Sequence, residues 1–156
     1  TRGMPYCTNL RTKPLLGFPS GHHVPISTKV PLTKSFGFET DVCALPENAK
    51  CERFFTMEDS PLLKSWGTET VFINLPYSAC KEWMRKAYGA AQDGATVVCL
   101  VPSRTDTEWW HRYAMKGEIR CWRGRLKFGD HENSVPFPSA LVIFRPREFR
   151  LVASNA

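Results

Sequence analysis

No apolar run in this 156-residue chain is long enough to cross a bilayer. The longest, Ala95 to Pro102 and Ala140 to Phe144, fall far short of the roughly 20 residues that a hydrocarbon core requires. The basic, proline-rich start also lacks the apolar block of a secretory signal, so the expectation is a cytoplasmic protein with no membrane association. None of the cysteines, at positions 7, 43, 51, 80, 99 and 121, belongs to a C-x-x-C pair. That absence removes the commonest zinc and redox signatures and leaves reduced, buried thiols as the expectation. His22 and His23 are adjacent with no cysteine pair beside them, so they read as a solvated loop pair and no metal is expected. Residues 1–35 lack sustained periodicity, and Pro5, Pro14, Pro19, Pro25 and Pro31 exclude a long helix there. They read as an extended arm, and residues 36–156 as a single domain.

What is present is a globular composition, 42% apolar and 23% charged, which needs no disordered or fibrous reading. The formal charge of +6 fits a polyanionic partner, although charge alone does not identify one. The chain is organised around Val71-Phe72-Ile73-Asn74-Leu75-Pro76-Tyr77-Ser78. There a β-branched and aromatic strand delivers Asn-Leu-Pro-Tyr to its carboxyl end, the place where open α/β sheets hold ligands.

Before it, Phe38 to Leu45 reads as a short strand, Pro46 to Cys51 as a helical turn, Phe54 to Thr56 as a second strand and Met57 to Ser60 as an acidic turn. After it, Cys80, Trp83, Met84, Ala87, Tyr88 and Ala91 give the three-and-four spacing of a helix over 79–92. Ala95 to Pro102 is a continuous apolar run, as a parallel strand covered on both faces requires. Thr105-Asp106-Thr107-Glu108 predicts a capping box opening a second helix that Gly117 ends. Trp122 to Phe128 alternates apolar residues with Arg123, Arg125 and Lys127, which predicts a strand with one cationic face. A loop over 129–138 then leads to a last apolar strand, Ser139 to Phe144. The sum is an α/β fold: one Rossmann-like domain with a mostly parallel sheet and antiparallel edge strands.

The tetrapeptide suits transfer of a methyl group to an exocyclic amine. The amino nitrogen of adenine is a poor nucleophile because its lone pair is delocalised, and acceptors for its hydrogens can draw it towards tetrahedral geometry. Asn74 offers a side-chain oxygen and Leu75 a backbone carbonyl held by the stiff Pro76 turn. Tyr77 offers a face on which an extruded base can stack.

Six blocks make this chain resemble the phage-type DNA adenine methyltransferases. They are Phe36-Gly37-Phe38 with Asp41-Val42-Cys43-Ala44, Pro46 to Cys51, Asn74 to Ser78, Val101 to Thr107, Gly124 to Phe128 and Pro136 to Ala140. The resemblance implies an S-adenosylmethionine-dependent, Rossmann-like enzyme that methylates adenine in double-stranded DNA, encoded by a phage or prophage and acting in a bacterial cell. It implies Asn74, Leu75, Pro76 and Tyr77 as the catalytic motif, and Asp41, Cys43 and Ala44 as the first cofactor-binding strand and its turn. Asp59, with Glu58 as an alternative, matches the acid near the cofactor's adenine. Arg104, Arg123, Arg125 and Lys127 become candidate DNA contacts, and no obligatory protein partner is evident. Leu75 stands where the family usually has proline, as it does in ribosomal RNA adenine dimethyltransferases, so RNA is the alternative acceptor. The arm of residues 1–35 departs from the family's usual opening and no glycine-rich turn follows Asp41. A catalytically weak nucleic-acid-binding protein that keeps the fold is therefore the third reading.

Overall fold

A computed structural model describes residues 36–46, 49–126 and 135–147 of the chain. The N-terminal arm, Cys7, His22, His23 and Lys127 lie outside the described residues. Six strands form one sheet: β1 (Thr40–Val42), β2 (Arg53–Phe55), β3 (Thr70–Asn74), β4 (Thr96–Pro102), β5 (Glu118–Cys121) and β6 (Ser139–Phe144). Their order is β2-β1-β3-β4-β6-β5. The first four in that order are parallel, β6 runs antiparallel to β4, and β5 runs antiparallel to β6. This is the mostly parallel, Rossmann-like α/β architecture that the sequence predicts.

Helix α1 (Cys80–Gln92) connects β3 to β4, and the short α2 (Glu108–Arg112) follows β4. Strand alternation divides the core between the two faces of the sheet. On one face Val71, Ile73, Val97, Cys99, Val142 and Phe144 pack against Trp83, Met84 and Ala87 of α1 and against Trp109 and Trp110 of α2. On the other, Phe72, Val98, Leu100, Leu141 and Ile143 are covered by Phe38 and Leu126, with Phe36, Trp122 and Val135 partly buried around them. β4 and β6 each carry a fully buried run of six residues, Val97 to Pro102 and Ser139 to Phe144, because each is paired on both sides and covered on both faces.

Several local expectations need correction. The first strand stops at Val42 because Cys43 adopts a left-handed φ of 72°, and the N–H groups of Cys43 and Ala44 both turn to the Phe55 carbonyl. The second helix does not open at Thr105. Its cap position is Thr107, whose hydroxyl donates back to the Arg104 carbonyl rather than forward into the helix. Glu108 is not a capping partner but pairs with Lys81 and Arg112. The antiparallel edge strand is Glu118–Cys121, and the described residues that follow it, 122–126, are not strand. Trp122 makes a last backbone bond to Ser139, and Gly124, with φ of 86°, takes the chain out of extended geometry. The alternation holds only in part over the described residues of that segment: Leu126 is buried and Arg123 and Arg125 are exposed, but Gly124 is exposed with them. The described cysteines are all free thiols, but Cys121 is exposed on the edge strand rather than buried.

Candidate active site

The two directions in which the chain leaves β1 locate the site. β2 lies on one side of β1 and β3 on the other, so the crevice beyond the carboxyl ends of β1 and β3 is the topological switch point of the sheet. Cys43 and Ala44 follow β1 directly, and Asn74 is the last residue of β3. Because β6 is antiparallel and β5 reverses again, the start of β6 and the end of β5 also lie on this edge. Read across the edge, the sequence of elements is the Met57–Asp59 turn, the Cys43-Ala44 turn, Asn74 to Tyr77, Ser103-Arg104, Phe137 to Ser139, and Trp122 to Leu126. One sheet edge thus gathers every described residue of the predicted site except Asp41, which lies within β1.

The tetrapeptide is held rigidly. β3 pairs with β4 through Asn74 opposite Leu100, and Leu75 is 1% exposed, its side chain packed into the core on the α1 face. Pro76, buried, precedes a single 3-10 turn (Tyr77–Ala79) closed by the Ala79 N–H on the Pro76 carbonyl at 3.0 Å. The Cys80 thiol donates to the Tyr77 carbonyl at 3.2 Å, bracing the same turn from the first residue of α1. Burial pushes that thiol up to about 11, with the nearby Arg104 pulling the other way, so it stays a neutral donor. Burial likewise raises the Tyr77 phenol well above its ordinary value. The Tyr77 ring meets Phe137 edge to face, with centroids 4.9 Å apart.

Asn74 differs from its neighbours. Its Oδ1 is buried and accepts no hydrogen bond among the described residues, although an unsatisfied buried acceptor costs about 1–3 kcal/mol. An amide oxygen left in that state calls for an explanation beyond the fold.

The acidic residues have distinct positions. Asp41, 3% exposed, accepts the Lys50 N–H at 2.7 Å and so ties down the segment that follows β1. Its charge, after burial, raises the Cys51 thiol to about 11. Asp59 is exposed, and its carboxylate accepts the Thr56 N–H at 2.8 Å and the Thr56 hydroxyl at 3.0 Å. Those bonds hold it below the usual carboxylate range. Glu58, beside it, is exposed as well. Cys43 donates from Sγ to the Met57 thioether at 3.4 Å, which joins the ends of β1 and β2. No group of His, Cys, Asp or Glu among the described residues could hold a metal ion, and no described helix is long and apolar enough to cross a membrane.

Sequence reasoning did not single out Phe137, Met57 or Cys80. The signal for Phe137 was its position just before an antiparallel strand, whose start must share an edge with the ends of its parallel neighbours. The contact of Met57 joins the ends of two neighbouring strands, which no local pattern announces, and that of Cys80 lies three residues from Tyr77, within a turn whose hydrogen bonding the helical spacing of 79–92 does not specify.

Comparison with known proteins bears on the family. A family model described as DNA N-6-adenine-methyltransferase (Dam) matches residues 22–154. A DNA N-6-adenine-methyltransferase of Escherichia phage T1 is 30% identical over 74 residues, 47% of this chain and 31% of the relative. A DNA N-6-adenine-methyltransferase of Haemophilus phage HP1 (strain HP1c1) is 25% identical over 118 residues, 70% of this chain and 68% of the relative. The matched stretch spans under a third of the T1 protein and about two-thirds of the HP1 protein.

Proposed function

The chain belongs to the DNA N-6-adenine-methyltransferase (Dam) family, and on that premise we propose that it transfers a methyl group from S-adenosylmethionine to the exocyclic amine of an adenine turned out of double-stranded DNA. The observation that carries the reading is the buried Oδ1 of Asn74, which has no partner among the described residues. An adenine amino group has two hydrogens to donate, and Asn74 Oδ1 would accept one while the Leu75 carbonyl accepts the other. With both hydrogens held, the nitrogen lone pair is released from the ring and aimed out of the base plane. Tyr77 would support the base face, with Phe137 closing the pocket from the side.

The residues at the switch point fit a methyl donor. Cys43 and Ala44 form a buried, mostly apolar turn, Asp59 presents an ionised carboxylate beside it, and the Met57 thioether, 44% exposed, borders the same crevice. Cys43, Ala44 and Asp59 would hold the donor, and Asp41 would support them through the segment it binds. The donor supplies an electrophilic methyl carbon, so the chain's own residues have only to bind, orient and exclude water. The cationic residues Arg104, Arg123 and Arg125 on the same edge suit a phosphate backbone, and the reaction would take place in the cytoplasm of a bacterial host.

RNA as the acceptor draws no support from Leu75, because its side chain lies in the core and only its carbonyl would face a substrate. The test is transfer of a labelled methyl group to adenine in duplex DNA and, in parallel, to structured RNA. Transfer to DNA that Asn74→Ala abolishes, with S-adenosylhomocysteine binding intact by calorimetry, supports the proposal. Binding of neither S-adenosylhomocysteine nor its methylated parent would leave a nucleic-acid-binding protein without catalysis as the better reading.

A further inference from the structure

Most described cations are engaged. Arg53 pairs with Glu69, Lys81 and Arg112 with Glu108, and Arg120 and Arg145 with Glu118. Lys64, Lys86 and Lys116 lie over the rings of Phe55, Trp66 and Tyr88. Arg104 is exposed, and its guanidinium has no hydrogen bond, ion pair or ring contact among the described residues. Its backbone, by contrast, is held on several sides. The Arg104 N–H donates to the Pro102 carbonyl at 2.8 Å. The Arg104 carbonyl accepts the Thr107 N–H at 3.2 Å and the Thr107 hydroxyl at 2.7 Å. On either side, Ser103 N–H reaches the Pro138 carbonyl at 2.8 Å and His111 Nε2 bonds the Thr105 carbonyl at 2.8 Å. A loop braced this heavily presents an unpaired guanidinium from a fixed base, which lowers the ordering cost of gripping an anion.

The strand order says which anion. Arg104 follows β4, one strand step from Asn74, on the side of β3 away from β1. The donor crevice is on the β1 side, so Asn74 to Tyr77 stand between Arg104 and the methyl donor. Arg123 and Arg125 follow β5, three strand steps from β3. At about 4.8 Å per step that is about 14 Å, or roughly four base pairs of duplex.

We propose that Arg104 grips the phosphate flanking the extruded adenine, while Arg123 and Arg125 contact the backbone of duplex that remains paired. This division of labour rests on the reading of the edge as a base-extruding methyltransferase site. It makes Arg104 a residue of the extruded nucleotide's pocket, and it assigns the donor's carboxylate to other groups.

The test uses the full chain saturated with S-adenosylhomocysteine and two probes. One is the trinucleotide dT-dA-dT with natural phosphodiesters, and the other is the same trinucleotide with neutral methylphosphonates. The wild type binds the charged form about ten- to a hundredfold more tightly, the range expected of a charge-assisted bidentate contact. Arg104→Ala removes that preference and Arg104→Lys keeps part of it, while Arg123→Ala and Arg125→Ala retain it. S-adenosylhomocysteine affinity stays the same in Arg104→Ala. Preference for the charged form that survives in Arg104→Ala overturns the proposal, as does a wild type that does not distinguish the two probes. A fall in S-adenosylhomocysteine affinity confined to Arg104→Ala overturns it in favour of the donor's carboxylate. Neither probe measures methyl transfer, so a wild type that prefers the charged trinucleotide but methylates nothing would sink the catalytic reading and leave the Arg104 contact standing.

Discussion

Tyr77 and Phe137 meet edge to face, with ring centroids 4.9 Å apart and planes at 81°, although 60 positions separate them in the chain. The contact joins the turn that follows β3 to the segment that opens β6. Two rings in this geometry each contribute a packed edge or face, and a third flat ring can be accommodated against an exposed face.

The first prediction concerns that pair. Tyr77→Phe keeps the ring and leaves methyl transfer close to wild type. Tyr77→Ala removes the stacking face, a loss of about 1–3 kcal/mol per base, and lowers the single-turnover rate about ten- to a hundredfold. Phe137→Ala lowers it less, because it removes a side wall. If the rate depends on the hydroxyl, so that Tyr77→Phe falls as far as Tyr77→Ala, the stacking role is wrong.

A second prediction sets function against stability at Asn74. Its buried Oδ1 lacks a partner among the described residues, and its residue sits at the end of a paired strand. Replacing an unsatisfied polar group by an apolar one of similar size removes the desolvation cost. Asn74→Leu therefore raises stability by about 1 kcal/mol in urea denaturation while abolishing methyl transfer. A variant that loses both activity and stability would mean that Asn74 serves the fold rather than the substrate.

The parts of this molecule legible in the sequence were those fixed by local pattern. The apolar run of β4, the helical spacing of α1 and the strand that ends at Asn74 all emerged at nearly their observed bounds, because burial on both faces or one face dictates periodicity. The segment from Thr105 to Leu126 was harder. Its capping-box spelling lost to a hydroxyl that bonds backward to Arg104, and its alternation continued through a left-handed glycine that a strand does not tolerate. At the candidate site, Asn74 to Tyr77 was visible as a motif. The orphan oxygen and the Phe137 contact depend on tertiary placement, which no spacing encodes, while the thiol brace from Cys80 is a local bond to Tyr77 that helical periodicity does not reveal.

A third prediction follows from thiols whose folded-state values are raised. Burial pushes Cys80 and Cys51 from 9.0 to about 11, and it raises the fully buried Cys99 as well. The unfolded chain releases these protons near pH 9, whereas the folded chain holds them. Stability from the neutral thiols is thus intact below pH 9 and is lost as pH rises towards 11. The urea midpoint should fall between pH 8 and pH 10.5, and the fall should be shallower in Cys80→Ala and in Cys51→Ala. Equal midpoints at the two pH values in the wild type would refute this.

The last prediction separates two glycines, Gly89 and Gly117. Gly89 lies inside α1, and a Cβ built on it meets nothing within 4 Å. Alanine there narrows the unfolded ensemble and improves helix propensity, so Gly89→Ala should stabilise by about 0.5–1 kcal/mol. Gly117 has an ordinary backbone but a crowded one: a Cβ would stand 2.9 Å from the Ile143 carbonyl oxygen and 3.0 Å from two carbons of the Phe144 ring. The carbonyl belongs to β6, which is paired on both sides by β4 and β5, and Phe144 is fully buried in the core on the α1 face. Neither can retreat without disturbing the sheet, so Gly117→Ala should destabilise by about 1–3 kcal/mol. Gly117 therefore ends the helical segment by permitting close approach to β6, and not by adopting a left-handed turn. Thermal denaturation of the two variants decides the matter: shifts of the same sign would contradict this account of Gly117.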